Sequence, residues 1–127
     1  MPKPGTTGFK RVADATRYSM LGLTAVWKHE AAFRQEAFLA AIMIPAAFWV
    51  GSSASQVALL IGVCLLVLVV ELLNSAIETV VDRIGHETHE LSGRAKDMGS
   101  AAIFVSLCLA GSTWLLLLFD RVVGWPP

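Results

Sequence analysis

Charged side chains are scarce in this chain of 127 residues, where they make up 16% of the sequence against 55% for hydrophobic residues. The mean hydropathy of +0.63 is too apolar for an ordinary soluble domain of this length. Ten basic and ten acidic residues cancel, so the charge balance indicates no affinity for nucleic acid. The length leaves room for a single domain, 1–127.

Cysteines are few, at two in the chain, and the common nucleotide-binding motifs are absent. Cys64 and Cys108 each lie inside an apolar run, which predicts small packing residues and neither a disulfide nor a metal pair. The sequence contains no G-x-x-x-x-G-K-[ST] loop and no protein-kinase signature. Any nucleotide should therefore bind without a standard nucleotide-binding fold. The polar, basic start of the chain leads us to expect no signal peptide.

Three apolar runs are long enough, with their flanks, to cross a bilayer. They predict membrane helices over about 31–50, 55–81 and 94–119, and the last contains 22 residues without a formal charge, Met98 to Phe119. The polar ends of the first two could instead mark a buried soluble hairpin. A weakly amphipathic segment at about 7–28 predicts a helix lying on the membrane surface. The predicted fold class is an all-α membrane protein with three transmembrane helices and this N-terminal surface helix.

Basic residues are distributed unevenly around these runs. One follows the last run (Arg121), three lie between the second and third, and six precede the first: Lys3, Lys10, Arg11, Arg17, Lys28 and Arg34. The positive-inside rule then places the N-terminus and the 82–97 loop in the cytoplasm, and the C-terminus outside.

A polar stripe continues the second apolar run. At 100° per residue its members fall within about 100° on one helix face: Glu71, Asn74, Ser75, Glu78 and Asp82. A carboxylate at mid-bilayer costs roughly 2.5–3.5 kcal/mol, so these groups must face protein, water or an ion. The alternative is that these side chains only form hydrogen bonds between packed membrane helices, but that role is usually taken by Ser, Thr or Asn. The stripe therefore predicts a catalytic or metal site.

Three further groups lie near the same predicted membrane face. Glu30 could bind a divalent cation with substrate phosphates, or simply pair with Arg34. His86 and His89 are spaced i,i+3 and not i,i+4, so H-E-T-H-E predicts a solvated turn and not a zinc site. Ser92 could cap the third membrane helix, where Arg94 and Lys96 would suit a phosphate or serve as ordinary basic flanks.

Four segments together closely resemble the small integral-membrane diacylglycerol kinases of bacteria. They are F-R-Q-E, E-L-L-N-S-A-I-E, V-D-R-I-G and H-E-L-S-G-R-A-K-D-M-G-S-A-A, which start at Phe33, Glu71, Val81 and His89. The likeness runs from Thr6 to the last apolar run. It implies a homotrimer in the bacterial inner membrane that transfers the γ-phosphate of ATP to diacylglycerol, with Mg²⁺ as the cofactor.

The resemblance also implies residue roles. Glu71 would be the general base and Glu30 and Glu78 the metal ligands, with Asn74 and Arg34 supporting the site. The nucleotide contacts would be Arg11, Tyr18, Glu30, Glu78, Glu87, Thr88, His89, Lys96 and Asp97. The lipid contacts would be Glu36, Glu71, Ser100 and Trp114. Departures from the family pattern lie at Met20, Pro45, His86 and Thr88; the last two put the loop contacts in doubt, and Pro45 could kink its helix.

Other functions fit parts of this pattern. A kinase for another lipid alcohol, such as undecaprenol, would present the same primary hydroxyl to the stripe. A small ion-coupled transporter would use an intramembrane Glu71 to carry protons or cations, although the acids cluster at one predicted face. A non-catalytic scaffold would need no aligned carboxylates.

Overall fold

The computed structural model describes residues 7–126, and its four helices confirm the all-α prediction. They are α1 (Gly8–His29), α2 (Ala31–Val50), α3 (Ala54–Ile84) and α4 (Glu90–Val122). Lys3, one of the six basic residues before the first apolar run, and Thr6, where the family likeness begins, lie outside the described residues. The chain divides into two compact units, one containing α1 and the other containing α2 to α4.

Among the described residues of the first unit, one helix of 22 residues begins after Thr7. Gly8 has φ +65°, a left-handed conformation that favours glycine at this first position. The helix ends at His29; the following residue, Glu30, is its C-cap, which is extended and whose N–H donates to the carbonyl of Val26 at 2.9 Å. Placement of α1 on a membrane surface stays a prediction.

The other three helices are each long and apolar enough to cross a membrane. Their 20, 31 and 33 residues correspond to about 30, 46 and 50 Å of helix, against a hydrocarbon core of about 30 Å. α3 and α4 are therefore long enough to extend beyond the core. α2 continues as a helix through Pro45.

Helices α3 and α4 run antiparallel, and contacts at three heights fix their register. The indole N–H of Trp114 donates to the carbonyl of Leu60 at 3.3 Å. Asn74 lies against Gly99, and the Nζ of Lys96 lies 2.8 Å from Oδ1 of Asp82. Leu60 and Asp82 are about 33 Å apart along α3, so the register is held over a length comparable to the bilayer core.

The start of α4 corrects the predicted cap. α4 begins at Glu90, and its N-cap is His89, whose Nδ1 accepts a hydrogen bond from the N–H of Leu91 at 3.1 Å. The prediction that Ser92 caps this helix was wrong. Because the first turns of α4 lie beyond the apolar run, the helix can begin without apolar residues, and the capping acceptor lies three residues earlier.

A small apolar cluster joins the ends of α2 and α3 that are connected by the turn at Gly51. Ala47, Val50 and Leu60 form its buried centre, and the half-buried Trp114 packs against it from α4. A Cβ at Gly51 would overlap Val57, so the turn requires glycine. Many large hydrophobic side chains elsewhere on these helices are exposed, among them Phe38, Ile42, Phe48, Phe104 and Leu115. Such surfaces are typical of helices that face lipid or other subunits.

Candidate active site

The polar stripe of α3 is the continuation of its buried apolar face. Two residues that are eleven positions apart on a helix point in directions that differ by only about 20°. On α3, each of three buried apolar residues is followed, eleven positions later, by a buried polar residue. The pairs are Leu60 and Glu71, Val63 and Asn74, and Cys64 and Ser75. This confirms that the first part of the stripe faces protein.

Burial decreases along the stripe. Glu71 is 5% exposed, Glu78 is half-buried, and Asp82 is exposed. Glu71 follows 17 residues of α3 that carry no charge, which places it about 25 Å from the start of the helix. The stripe therefore begins near the edge of a bilayer-thick apolar segment and continues about 16 Å further, to Asp82 at the open end of the helix pair.

Asn74 links the carboxylate of Glu78 to α4. Its Nδ2 donates to Oε1 of Glu78 at 3.2 Å, one helical turn further along. Its Oδ1 is buried, has no hydrogen-bond partner among residues 7–126, and faces Gly99. A Cβ at Gly99 would overlap this oxygen, so the close approach of the two helices depends on glycine here.

These oxygens fit the chemistry of Mg²⁺. The carboxylate of Glu78 has more acceptor positions than one amide N–H uses, and a buried amide oxygen without a partner is a further hard donor nearby. The described residues contain no group of three or more His, Cys, Asp or Glu side chains able to hold a metal. Mg²⁺ is commonly bound by one or two carboxylates together with water and substrate phosphates, so the site suits an ion that arrives with a nucleotide.

A cavity of about 250 Å³ lies where α3 and α4 are joined, and it is open to solvent. Four residues of the predicted nucleotide set line it: Glu87, Thr88, His89 and Lys96. The ion pair of Lys96 with Asp82 is at its wall. Arg94 pairs instead with Glu90 at 3.2 Å and is not among the lining residues.

Within the second unit, three other predicted site residues do not line this cavity. Asp97 and Ser100 are exposed on α4. Trp114 lies about 21 Å further along that helix, where it is hydrogen-bonded to Leu60, so any lipid contact there would be distant from Glu71. Within the first unit, Tyr18 contacts Arg17, whose guanidinium lies 5.1 Å from the ring centre. The roles of Arg11 and Tyr18 in nucleotide binding, and of Glu30 in metal and nucleotide binding, stay predictions.

Two contacts were missed by the sequence reasoning. For the approach of Gly99 to Asn74, the sequence contains one local indication, the run of small residues in M-G-S-A-A. For the pairing of Asp82 with Lys96 it contains no local indication, since this contact depends on how the two helices are aligned.

Most of the chain is similar to a known protein family and to proteins of several bacteria. The model of the family described as prokaryotic diacylglycerol kinase matches residues 17–118. A protein of Haemophilus influenzae is 54% identical over 114 residues, 90% of this chain and 97% of the relative. One of Escherichia coli K12 is 54% identical over 116 residues, covering 91% and 95%. One of Pseudomonas aeruginosa is 53% identical over 117 residues, covering 92% and 95%. All three carry the name diacylglycerol kinase.

Proposed function

The chain belongs to the prokaryotic diacylglycerol kinase family, and from that premise we propose that it transfers the γ-phosphate of ATP to the primary hydroxyl of diacylglycerol, giving phosphatidic acid. Its three long apolar helices fit a multi-pass membrane enzyme. The observation that carries the proposal within the chain is the buried carboxylate of Glu71 on a bilayer-length helix. Such a group is rarely retained without a function.

Glu71 is proposed as the general base. A primary hydroxyl is a weak nucleophile at neutral pH, so a carboxylate within hydrogen-bond reach must accept its proton as the oxygen attacks the γ-phosphorus. ADP leaves as the new phosphate ester forms. The depth of Glu71 along α3, about 25 Å from the start of that helix, suits a hydroxyl held at the level of the lipid headgroups.

Glu78 is proposed to bind Mg²⁺, with Asn74 orienting its carboxylate through the 3.2 Å hydrogen bond. Glu30 remains the second proposed ligand on the strength of the family resemblance. When bound, the metal neutralises charge on the transferring phosphates, which is the main requirement of phosphoryl transfer. Glu78 lies about 10 Å from Glu71 along α3, so lipid, base, metal and nucleotide would follow one another along the helix.

Glu87, Thr88, His89 and Lys96 are proposed to contact the nucleotide at the cavity between α3 and α4. The ammonium of Lys96 is the cationic group of that set and would exchange Asp82 for a phosphate. The remaining proposed nucleotide contacts are Arg11, Tyr18, Glu30, Glu78 and Asp97, and the proposed lipid contacts are Glu36, Glu71, Ser100 and Trp114. We further propose a homotrimer in the inner membrane with a cytoplasmic N-terminus, in which other copies cover part of the exposed apolar surface.

The test uses purified protein in mixed micelles with labelled ATP and Mg²⁺. Wild type should phosphorylate diacylglycerol in preference to a polyprenol. Glu71→Gln keeps the size and polarity of the side chain but removes the proton acceptor, so turnover should fall by about 10²–10⁴-fold.

Oligomer size and nucleotide binding should be retained in Glu71→Gln. The matched control is Asp120→Asn, which removes a carboxylate at the opposite end of α4, where its oxygen accepts from the N–H of Trp125. Near-normal turnover by a well-assembled Glu71→Gln protein would refute the assigned base. A preference for polyprenol would refute the assigned substrate.

A further inference from the structure

Asp82 is the last member of the polar stripe, and the proposed reaction assigns it no contact with a substrate. Its Oδ1 lies 2.8 Å from the ammonium of Lys96, and both side chains line the cavity proposed to receive the nucleotide. Among the described residues that line this cavity, Lys96 is the one lysine or arginine. The cation proposed to bind a phosphate is therefore paired with a carboxylate in this structure.

This ion pair can open easily. The side chain of Lys96 is 45% exposed and that of Asp82 is 55% exposed, so water reaches both groups and weakens their attraction. The stem of a lysine is flexible, so the ammonium can turn into the cavity without movement of either helix. The register of α3 and α4 does not depend on this pair alone, because the contact of Asn74 with Gly99 and the hydrogen bond of Trp114 join the same two helices.

The phosphates of a nucleotide and the carboxylate of Asp82 are alternative partners for one ammonium, since both offer charged oxygen acceptors. We propose that Asp82 is a positioning residue that holds Lys96 at the cavity wall while the nucleotide is absent and takes it back as ADP leaves. The inference rests on the proposed function, which places the nucleotide in this cavity. Asp82 therefore weakens the binding of ATP and ADP alike and favours their exchange.

Asp82→Asn keeps the shape of the side chain but removes its charge, so Lys96 loses the competing partner. The dissociation constant of Mg-ADP should fall by about two- to fivefold, as expected for the loss of an exposed ion pair. KM for ATP should fall by a similar factor while kcat does not rise, because Lys96 would contact the phosphates in the ground state as well as in the transition state. Asp82→Glu keeps the charge and should retain the wild-type affinity.

Glu90→Gln is the matched control, because it removes the same charge from another exposed ion pair at the same end of the two helices. Glu90 lies 3.2 Å from Arg94, and neither residue is among those that line the cavity. This variant should bind Mg-ADP as wild type does. The double variant Asp82→Asn/Lys96→Gln tests the cause, because without the ammonium the loss of Asp82 should no longer tighten binding.

Binding is measured on purified protein in detergent with Mg-ADP and without lipid, so the result does not depend on turnover. Unchanged or weaker binding by Asp82→Asn would overturn the proposal, and so would equal tightening in Glu90→Gln or in the Lys96→Gln background. A raised Mg²⁺ requirement in Asp82→Asn would make Asp82 a metal ligand, and loss of the oligomer would make the pair structural; either result also overturns it.

The same measurements separate this inference from the proposed reaction. If Asp82→Asn binds Mg-ADP more tightly but wild type phosphorylates no diacylglycerol, the role of Asp82 stands and the proposed reaction fails. If wild type is an active diacylglycerol kinase and Asp82→Asn binds Mg-ADP no more tightly, the proposed reaction stands and the role of Asp82 is wrong.

Discussion

Replacement of Gly99 by alanine should disturb both the stability and the catalysis of this protein through one contact. The added methyl group would overlap Oδ1 of Asn74, so either α4 moves away from α3 or the amide turns. Overpacking of a close helix contact typically costs about 1–3 kcal/mol. If the amide turns, the hydrogen bond to the Glu78 carboxylate is also lost, and bonds to charged groups contribute about 1.5–3 kcal/mol.

We therefore expect Gly99→Ala to lower the thermal midpoint of the detergent-solubilised protein and to reduce turnover at least tenfold, which corresponds to about 1.4 kcal/mol. Gly62→Ala is the control, because its new methyl group would meet nothing within 4 Å and alanine favours the helix by about 1 kcal/mol.

The double variant Asn74→Ala/Gly99→Ala tests the cause of the loss. With the amide removed, the additional methyl group has room, so the stability loss from Gly99→Ala should be much smaller in the Asn74→Ala background. The reasoning is refuted if Gly99→Ala behaves like Gly62→Ala, or if its stability loss is the same with and without the Asn74 side chain.

Three further predictions concern the metal, the topology and Trp114. Glu78→Gln and Glu30→Gln should each raise the Mg²⁺ concentration needed for half-maximal activity, because a neutral amide binds a hard cation poorly; an unchanged requirement in both would contradict the metal assignment. Reporter fusions should place residue 127 outside the cytoplasm, as the basic residues preceding α2 predict; a cytoplasmic signal would disprove this orientation. Trp114→Phe should lose the hydrogen bond to Leu60, worth about 0.5–1.5 kcal/mol, and lower the thermal midpoint; as a proposed lipid contact, the same variant should also raise KM for the lipid. A lowered midpoint with an unchanged KM would contradict lipid contact by the indole.

The sequence alone was sufficient to predict the membrane helices and the face of α3 that carries the proposed catalytic residues. Apolar runs of bilayer length specify helices because a membrane leaves the backbone no other way to satisfy its polar groups. The 100° periodicity aligned Glu71, Asn74 and Ser75, and the cost of a charge in the membrane predicted the burial that the structure confirms. The long motifs around these residues were enough to indicate the family, which the comparisons confirmed.

The relation between helices was decided only by the tertiary structure. The pattern on each helix shows which side is buried, but it does not fix how far one helix slides along another. That register places Gly99 at Asn74 and Lys96 at Asp82. The loop that joins α3 and α4 likewise decided that His89, and not Ser92, caps α4. A cavity of about 180 Å³ between α2, α3 and α4, with Met43, Cys64 and Ala110 in its lining, exists only because three helices leave a space between them, a property of their arrangement that no single segment encodes.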